Sequence, residues 1–329
     1  MALTNFPNGI ASLGVPVIGG APVPISSTGK VFFVDYTLGS DGNTGTDPTL
    51  PLKTVDQAYS LCVSNRYDVI VLMGSATHVL SSPLTWTKSR ITVMGGDMAP
   101  RGVQQGAKIQ STTAGALSYV MKNTGVRNWF HNIKFIQAST VATALSVLEM
   151  GGEGNCYSNC SAVFGVVDNL DQTNAFEVIN GEDSGTFISC TFGNDTLLTS
   201  AARAVMSIDQ VTSGQEFKSN QFKDCLFNIS SSSSTATHIR LAAVGDILFS
   251  NHFDRCSFIA SVDSAGGAAI AESVQTGTGT VKGCLTFAHP ATFNSTDFAT
   301  ATSGRNTAVQ IVGVVTTAGT GGVGVVPTA

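Results

Sequence analysis

Charge is scarce in this chain: Asp, Glu, Lys and Arg make up 12% of 329 residues, with a net charge of −5. No stretch clusters Lys and Arg into the basic stripe that a phosphate backbone requires, so nucleic acid is not expected as a partner. No run of about 18 apolar residues occurs either, which excludes a membrane-spanning helix. Residues 1–27 lack a basic segment and are interrupted by Pro7, Pro16, Pro22 and Pro24. They do not read as a signal peptide, so assembly in a cytoplasm is expected. Seven cysteines, an odd number, argue against a disulfide framework. Cys156 and Cys160 have no CxxC spacing and no clustered histidines, so neither zinc nor any other cofactor is expected. GxSxG, HExxH and P-loop motifs are missing too.

What the chain has instead is glycine (35 residues) with Ser, Thr and Val throughout, an all-β composition. An internal repeat decides the architecture. It reads aromatic-x-polar-Cys-x-Phe at Phe130–Phe135 (FHNIKF), Tyr157–Ala162 (YSNCSA), Phe187–Phe192 (FISCTF), Phe222–Phe227 (FKDCLF), Phe253–Phe258 (FDRCSF) and, degenerately, Val281–Thr286 (VKGCLT). The anchors are Ile133, Cys160, Cys190, Cys225, Cys256 and Cys284, 27 to 35 residues apart. Five residues before each stands Asn128, Asn155, Gly185, Asn220, Asn251 or Gly279, types that enter the left-handed backbone region most cheaply. These positions are expected to be the coil corners.

Residues two apart on a strand share a face, so each anchor and the residue two later should both enter a core. The aromatic lies three before the anchor, an odd offset, so the chain must bend between them. Stacked coils about 4.8 Å apart then place equivalent side chains in ladders. The expected ladders are Ile133 to Cys284, the aromatics Phe130, Tyr157, Phe187, Phe222 and Phe253, and Phe135, Phe192, Phe227 and Phe258. Cysteine suits such a column as a small apolar residue, and a 4.8 Å spacing keeps stacked thiols reduced. The fold class expected is therefore a single-stranded right-handed parallel β-helix with about nine coils, on the order of 40–45 Å long.

Three segments follow. Residues 1–29 form an irregular, Pro- and Gly-rich arm. Residues 30–290 form the solenoid, opened by a strand at Lys30–Asp35 and capped by an amphipathic helix near 54–62, where Thr54 and Gln57 suggest a capping box. Residues 291–329 form a β-rich tail that closes the last coil or pairs with another subunit. Gly39–Asp47 is spaced loosely like a calcium loop but lacks the closing Glu, and reads as a plain loop.

The run at residues 33–61, with its Pro51-Leu52-Lys53-Thr54 step into the helix and the coils that follow, resembles the opening of the pectate-lyase-like β-helix superfamily. That resemblance implies an architecture and leaves activity open, because the superfamily includes lyases, hydrolases, tailspikes and inert scaffolds. The start of the chain, Leu3–Gly9 and Leu13–Val17, resembles proteins encoded among bacteriophage head genes. This second resemblance implies a capsid decoration protein, a homotrimer on the virion shell that holds major capsid protein subunits. The arm residues Asn5, Phe6, Pro7, Val15 and Pro16 would then contact the shell.

No catalytic constellation stands out. The acids that a lyase or hydrolase would need could only be Asp168 with Asp171, Glu182 with Asp183, or Asp209, and Glu182 sits beside two glycines as a solvated turn would. Arg203, Lys218, Arg240 and Arg255 look singly scattered, and the five histidines read as surface residues. The alternative to a decoration protein is a tailspike-type β-helix that binds or depolymerises host polysaccharide.

Overall fold

The chain is a right-handed parallel β-helix of three sheets. The computed structural model describes residues 28–260 except 74–76, 97–104, 116, 166–171, 173, 195, 202, 210, 212–216, 234–235 and 242–247, and beyond that span the backbone of seven strands. The first sheet has ten parallel strands, running from Val31–Val34 to Ala308–Val312, and the second and third have seven each. Nine of the first sheet's strands lie between Val31 and Ala288. The last, Ala308–Val312, pairs in parallel with Lys282–Ala288, so the sheet runs past residue 290 into the tail.

The repeat fixes the register. Phe130 pairs with Tyr157, Tyr157 with Phe187, Phe187 with Phe222 and Phe222 with Phe253. Their rings stack face to face at 5.1, 5.1, 4.4 and 4.5 Å, within 12° of parallel. In-register stacking makes these planes nearly parallel; each buried ring adds about 1.5–3 kcal/mol from burial. Phe135, Ala162, Phe192 and Phe227 form a second interior column, and Phe258 pairs with Phe227 in register.

Ile133, Cys160, Cys190, Cys225 and Cys256 are all interior, and the six described cysteines are unpaired. The thiols act as donors as well as filling space. Cys160 Sγ donates to the Phe130 carbonyl at 3.4 Å, Cys190 to Tyr157 at 3.3 Å, Cys225 to Phe187 and Cys256 to Phe222 at 3.5 Å. Each bond ties one coil to the coil before it. Burial pushes the Cys160 thiol up to about 12, so it stays protonated. Cys284 does not continue this column. It pairs with Ser250, while Phe287, six residues after Val281, pairs with Phe253 and takes the aromatic position of the sixth coil.

The corners also differ from expectation. The left-handed residues are Arg127, Gly154, Ser184 and Ser219, one before the Asn/Gly position, and Asn132, Asn159, Ser189, Asp224 and Arg255, one before each anchor. The second set makes the bend that the odd aromatic-to-anchor offset demands. The asparagines are interior instead and form a ladder. The Ile91 N–H donates to Asn128 Oδ1 at 2.9 Å, Asn128 N–H to Asn155 Oδ1 at 2.7 Å, Gly185 N–H to Asn220 Oδ1 at 2.8 Å, and Asn220 N–H to Asn251 Oδ1 at 3.0 Å. Each Nδ2 donates back to a carbonyl of the preceding coil: Asn128 to Lys88, Asn155 to Gly125, Asn220 to Glu182 and Asn251 to Phe217.

The helix spans Val55–Leu61 with Thr54 as N-cap, whose Oγ1 accepts from the Gln57 N–H at 3.1 Å. Gln57 does not complete a capping box. The Thr54 N–H and hydroxyl go to Asp41 of the Gly39–Asp47 loop, at 2.9 Å each. That loop therefore fastens the cap to the solenoid. Lys88 Nζ holds the other end, donating to the carbonyls of Tyr59, Ser60 and Cys62.

Phe187→Ala, which removes the middle ring of the stack, is expected to destabilise the chain by about 3–5 kcal/mol in urea unfolding. Ile188→Ala, one residue on but on the outer face, should stay within about 0.5 kcal/mol.

Candidate functional site

The outer face of the first sheet carries the most distinctive surface chemistry. Trp129 and His131 point to the same side of one strand, and Ser158 pairs with His131 on the next coil. Trp129 Nε1 donates to Ser158 Oγ at 2.8 Å, and His131 Nδ1 lies 2.8 Å from the same oxygen. Indole N–H is a donor only, so the serine hydroxyl proton is free to point at the imidazole. Burial holds the half-buried His131 below its ordinary value, which keeps the ring neutral and able to accept that proton. The two rings lie 5.9 Å apart, forming a fixed aromatic ledge.

A polarised serine alone does not make an acyl-transfer site. On the face of a parallel sheet the backbone N–H groups are tied up in ladder bonds, so a developing oxyanion here would find no backbone donors. The ledge is suited to binding.

A groove of about 590 Å³ runs along the outer face of the second sheet. Ile136, Val163 and Leu226 are apolar in its lining, with Gln110, Lys134, Asn194 and Asn228 among the polar groups. Burial, and secondarily Lys108 on the neighbouring strand, hold the Lys134 ammonium below its ordinary value.

The acids considered from sequence are not gathered at either place. Asp168 and Asp171 lie outside the described residues. Glu182 is not a solvated turn residue but fully buried. Its Oε1 accepts the Asn155 N–H at 2.9 Å, the bond that an asparagine makes in the other coils. The reason is Gly185, which stands where those coils have Asn. An added Cβ there would lie 2.8 Å from Asn220 Oδ1 and 3.1 Å from Glu182 Cδ, so the glutamate occupies the space left by the missing side chain. Asp183 pairs with Lys218 at 3.1 Å, and Arg255 with both Asp224 and Asp254.

Two other readings are corrected by burial. Arg203 is not a scattered surface cation: it forms an interior ion pair with Glu177. His78 and His238 are interior as well. His78 has no partner at either ring nitrogen, and burial drives it down to about 4, so it is neutral in the fold. A polar residue between apolar neighbours on a strand, as in Phe176-Glu177-Val178, is the local sign of such sites, and it is weak. Of the arm before Thr28, only backbone is described: Ala11–Ser12 pairs antiparallel with Val15–Pro16, while Asn5, Phe6 and Pro7 lie outside the described residues.

No family model matches the sequence, and no curated protein does. Among solved structures, the chain is similar to the pectate lyase Pel9A, with a TM-score of 0.53 and 14% identity over 80% of this chain and 63% of that one. It thus spans less than two thirds of that lyase. Pectin methylesterase PemA from Erwinia chrysanthemi follows at TM-score 0.42 and 13% identity, over 84% of this chain and 92% of that one. ORF18 of Geobacillus virus E2 has a TM-score of 0.40 and 13% identity, over 85% of this chain and 60% of that one. The likeness to Pel9A supports the fold alone, a parallel β-helix.

The exchange of Asn for Glu182 and Gly185 can be tested directly. Gly185→Asn alone should destabilise the chain by about 1–3 kcal/mol through crowding. Combined with Glu182→Ala, which clears the space, it should recover most of that loss in the same denaturation assay.

Proposed function

We propose that this chain is a structural protein of a bacteriophage virion: a decoration or cement protein that binds the outer face of the capsid as a homotrimer. The observation that carries this reading is the use the coils make of their carboxylates. Among the described residues, Glu149 pairs with Lys122, Asp183 with Lys218, and Asp224 and Asp254 with Arg255, all across or along coils, while Glu177 and Glu182 are interior. Acids committed to holding a rod together support a scaffold, not acid–base chemistry. The head-protein-like start of the chain supports the location. In this reading the arm, with Asn5, Phe6, Pro7, Val15 and Pro16, contacts the major capsid protein, and three copies raise a weak contact to a firm one by avidity.

A second reading is favoured by the Trp129–His131 ledge: binding or depolymerising host polysaccharide, on the fold that the pectate lyase shares. Co-sedimentation with phage heads lacking the protein separates the two. The full chain is expected to bind saturably and as a trimer, and a version starting at Lys30 to bind at least tenfold more weakly. If neither form binds heads while the full chain binds host polysaccharide in a manner sensitive to Trp129→Ala, the second reading replaces the first.

A further inference from the structure

The asparagine ladder has a repeating grammar. Each member presents one acceptor, which takes an N–H of the preceding coil, and one donor, which goes to a carbonyl of that same coil. The acceptor carbonyls already described, at Lys88, Gly125, Glu182 and Phe217, each stand three residues before the ladder position of their own coil in the later cases, as Gly125 does before Asn128. The coil of Gly185 should therefore supply a side-chain donor toward Gly152, three before Asn155, whose carbonyl already takes the Asp183 N–H at 3.2 Å. Glu182 supplies the acceptor, Oε1, to the Asn155 N–H. Its Oε2 is buried with no partner at hydrogen-bonding distance; the Tyr157 hydroxyl favours the charged form but burial outweighs it, and an ionised carboxylate has no donor to offer. A protonated carboxyl, with one acceptor and one O–H, matches the amide it replaces.

We propose that Glu182 is a proton-binding site of the folded chain, held as a neutral acid that stands in for the missing asparagine, and that its ionisation breaks the ladder at this coil. The groups around it fit. From the coil before come Asn155, Cys156 and Tyr157; Tyr157 accepts from Asn123 Nδ2 at 2.8 Å and is fully buried. From its own coil come Asn180, whose Oδ1 accepts the Glu182 N–H at 2.9 Å, and Asp183. From the next come Lys218, paired with Asp183, and Asn220. The one cation in this set is therefore already matched by a carboxylate. Burial raises Tyr157 and brings Cys156 up to about 11, so both keep their protons at neutral pH.

Burial likewise lifts Glu182 from 4.5 to about 7. A folded value above the unfolded one means that the stabilisation is complete below pH 4.5 and is lost as pH rises through 7. The working range of the device is mildly acidic to neutral.

The test compares the full chain with Glu182→Gln in urea unfolding between pH 5 and pH 9. In the unaltered chain the folding constant should fall by up to about tenfold per pH unit between pH 5 and pH 7 and level off above 7, in excess of the variant. Glu182→Gln, which carries a permanent donor, should lack that component. A carbon-13 titration of the glutamate carboxyls in the unaltered chain keeps the test open if the variant folds poorly. One carboxyl titrating far above the others, with the Asn155 amide proton exchanging faster as it ionises, supports the proposal. Ordinary titration of every glutamate, or the same pH dependence in both proteins, overturns it.

Discussion

The side-chain-to-backbone bond that repeats from Ile91 to Asn251 is the constraint on which the rest of the solenoid depends. Parallel strands satisfy their own backbone groups, but where the chain enters the first sheet those groups would be buried without partners, at about 1–3 kcal/mol each. The ladder satisfies an N–H and a carbonyl of one coil with a side chain of the next. It thereby sets the phase of every strand that follows. The aromatic stack two residues later inherits its register from this bond, and the thiols three residues after the rings inherit theirs.

This dependence accounts for the division between what was legible in the sequence and what was not. The parallel solenoid, its capping helix and the interior columns of rings and thiols follow from composition and offset, because packing repeats visibly; the division into three sheets does not. The corner asparagines misled because Asn is good at two things, entering the left-handed region and bridging backbones with a side-chain amide. Here neighbours such as Arg127 and Ser219 take the strained backbone and Asn takes the bridge. The choice depends on burial, which a single sequence does not print.

Glu182 and Cys284 show the same limit from opposite sides. Glu182 looked like a surface acid because it lies between glycines, yet Gly185 is the cause of its burial: removing one side chain makes room for another. Cys284 looked like a ladder member because it matched a motif, yet the strand pairing sets it opposite Ser250. Compensation and register are relations between coils, and the surface ledge of Trp129, His131 and Ser158 is one as well, since its hydrogen bonds join residues 27 and 29 apart.

The corner amides are locked by the side chains of the next coil. Native-state hydrogen exchange, followed at the backbone N–H groups of Asn128, Asn155, Gly185 and Asn220, measures this. Below pH 7 these four should exchange only through global unfolding, as slowly as the central strand amides. Exchange at the rate of exposed turn amides, with the strands still protected, would contradict the ladder as the element that holds the coils in phase.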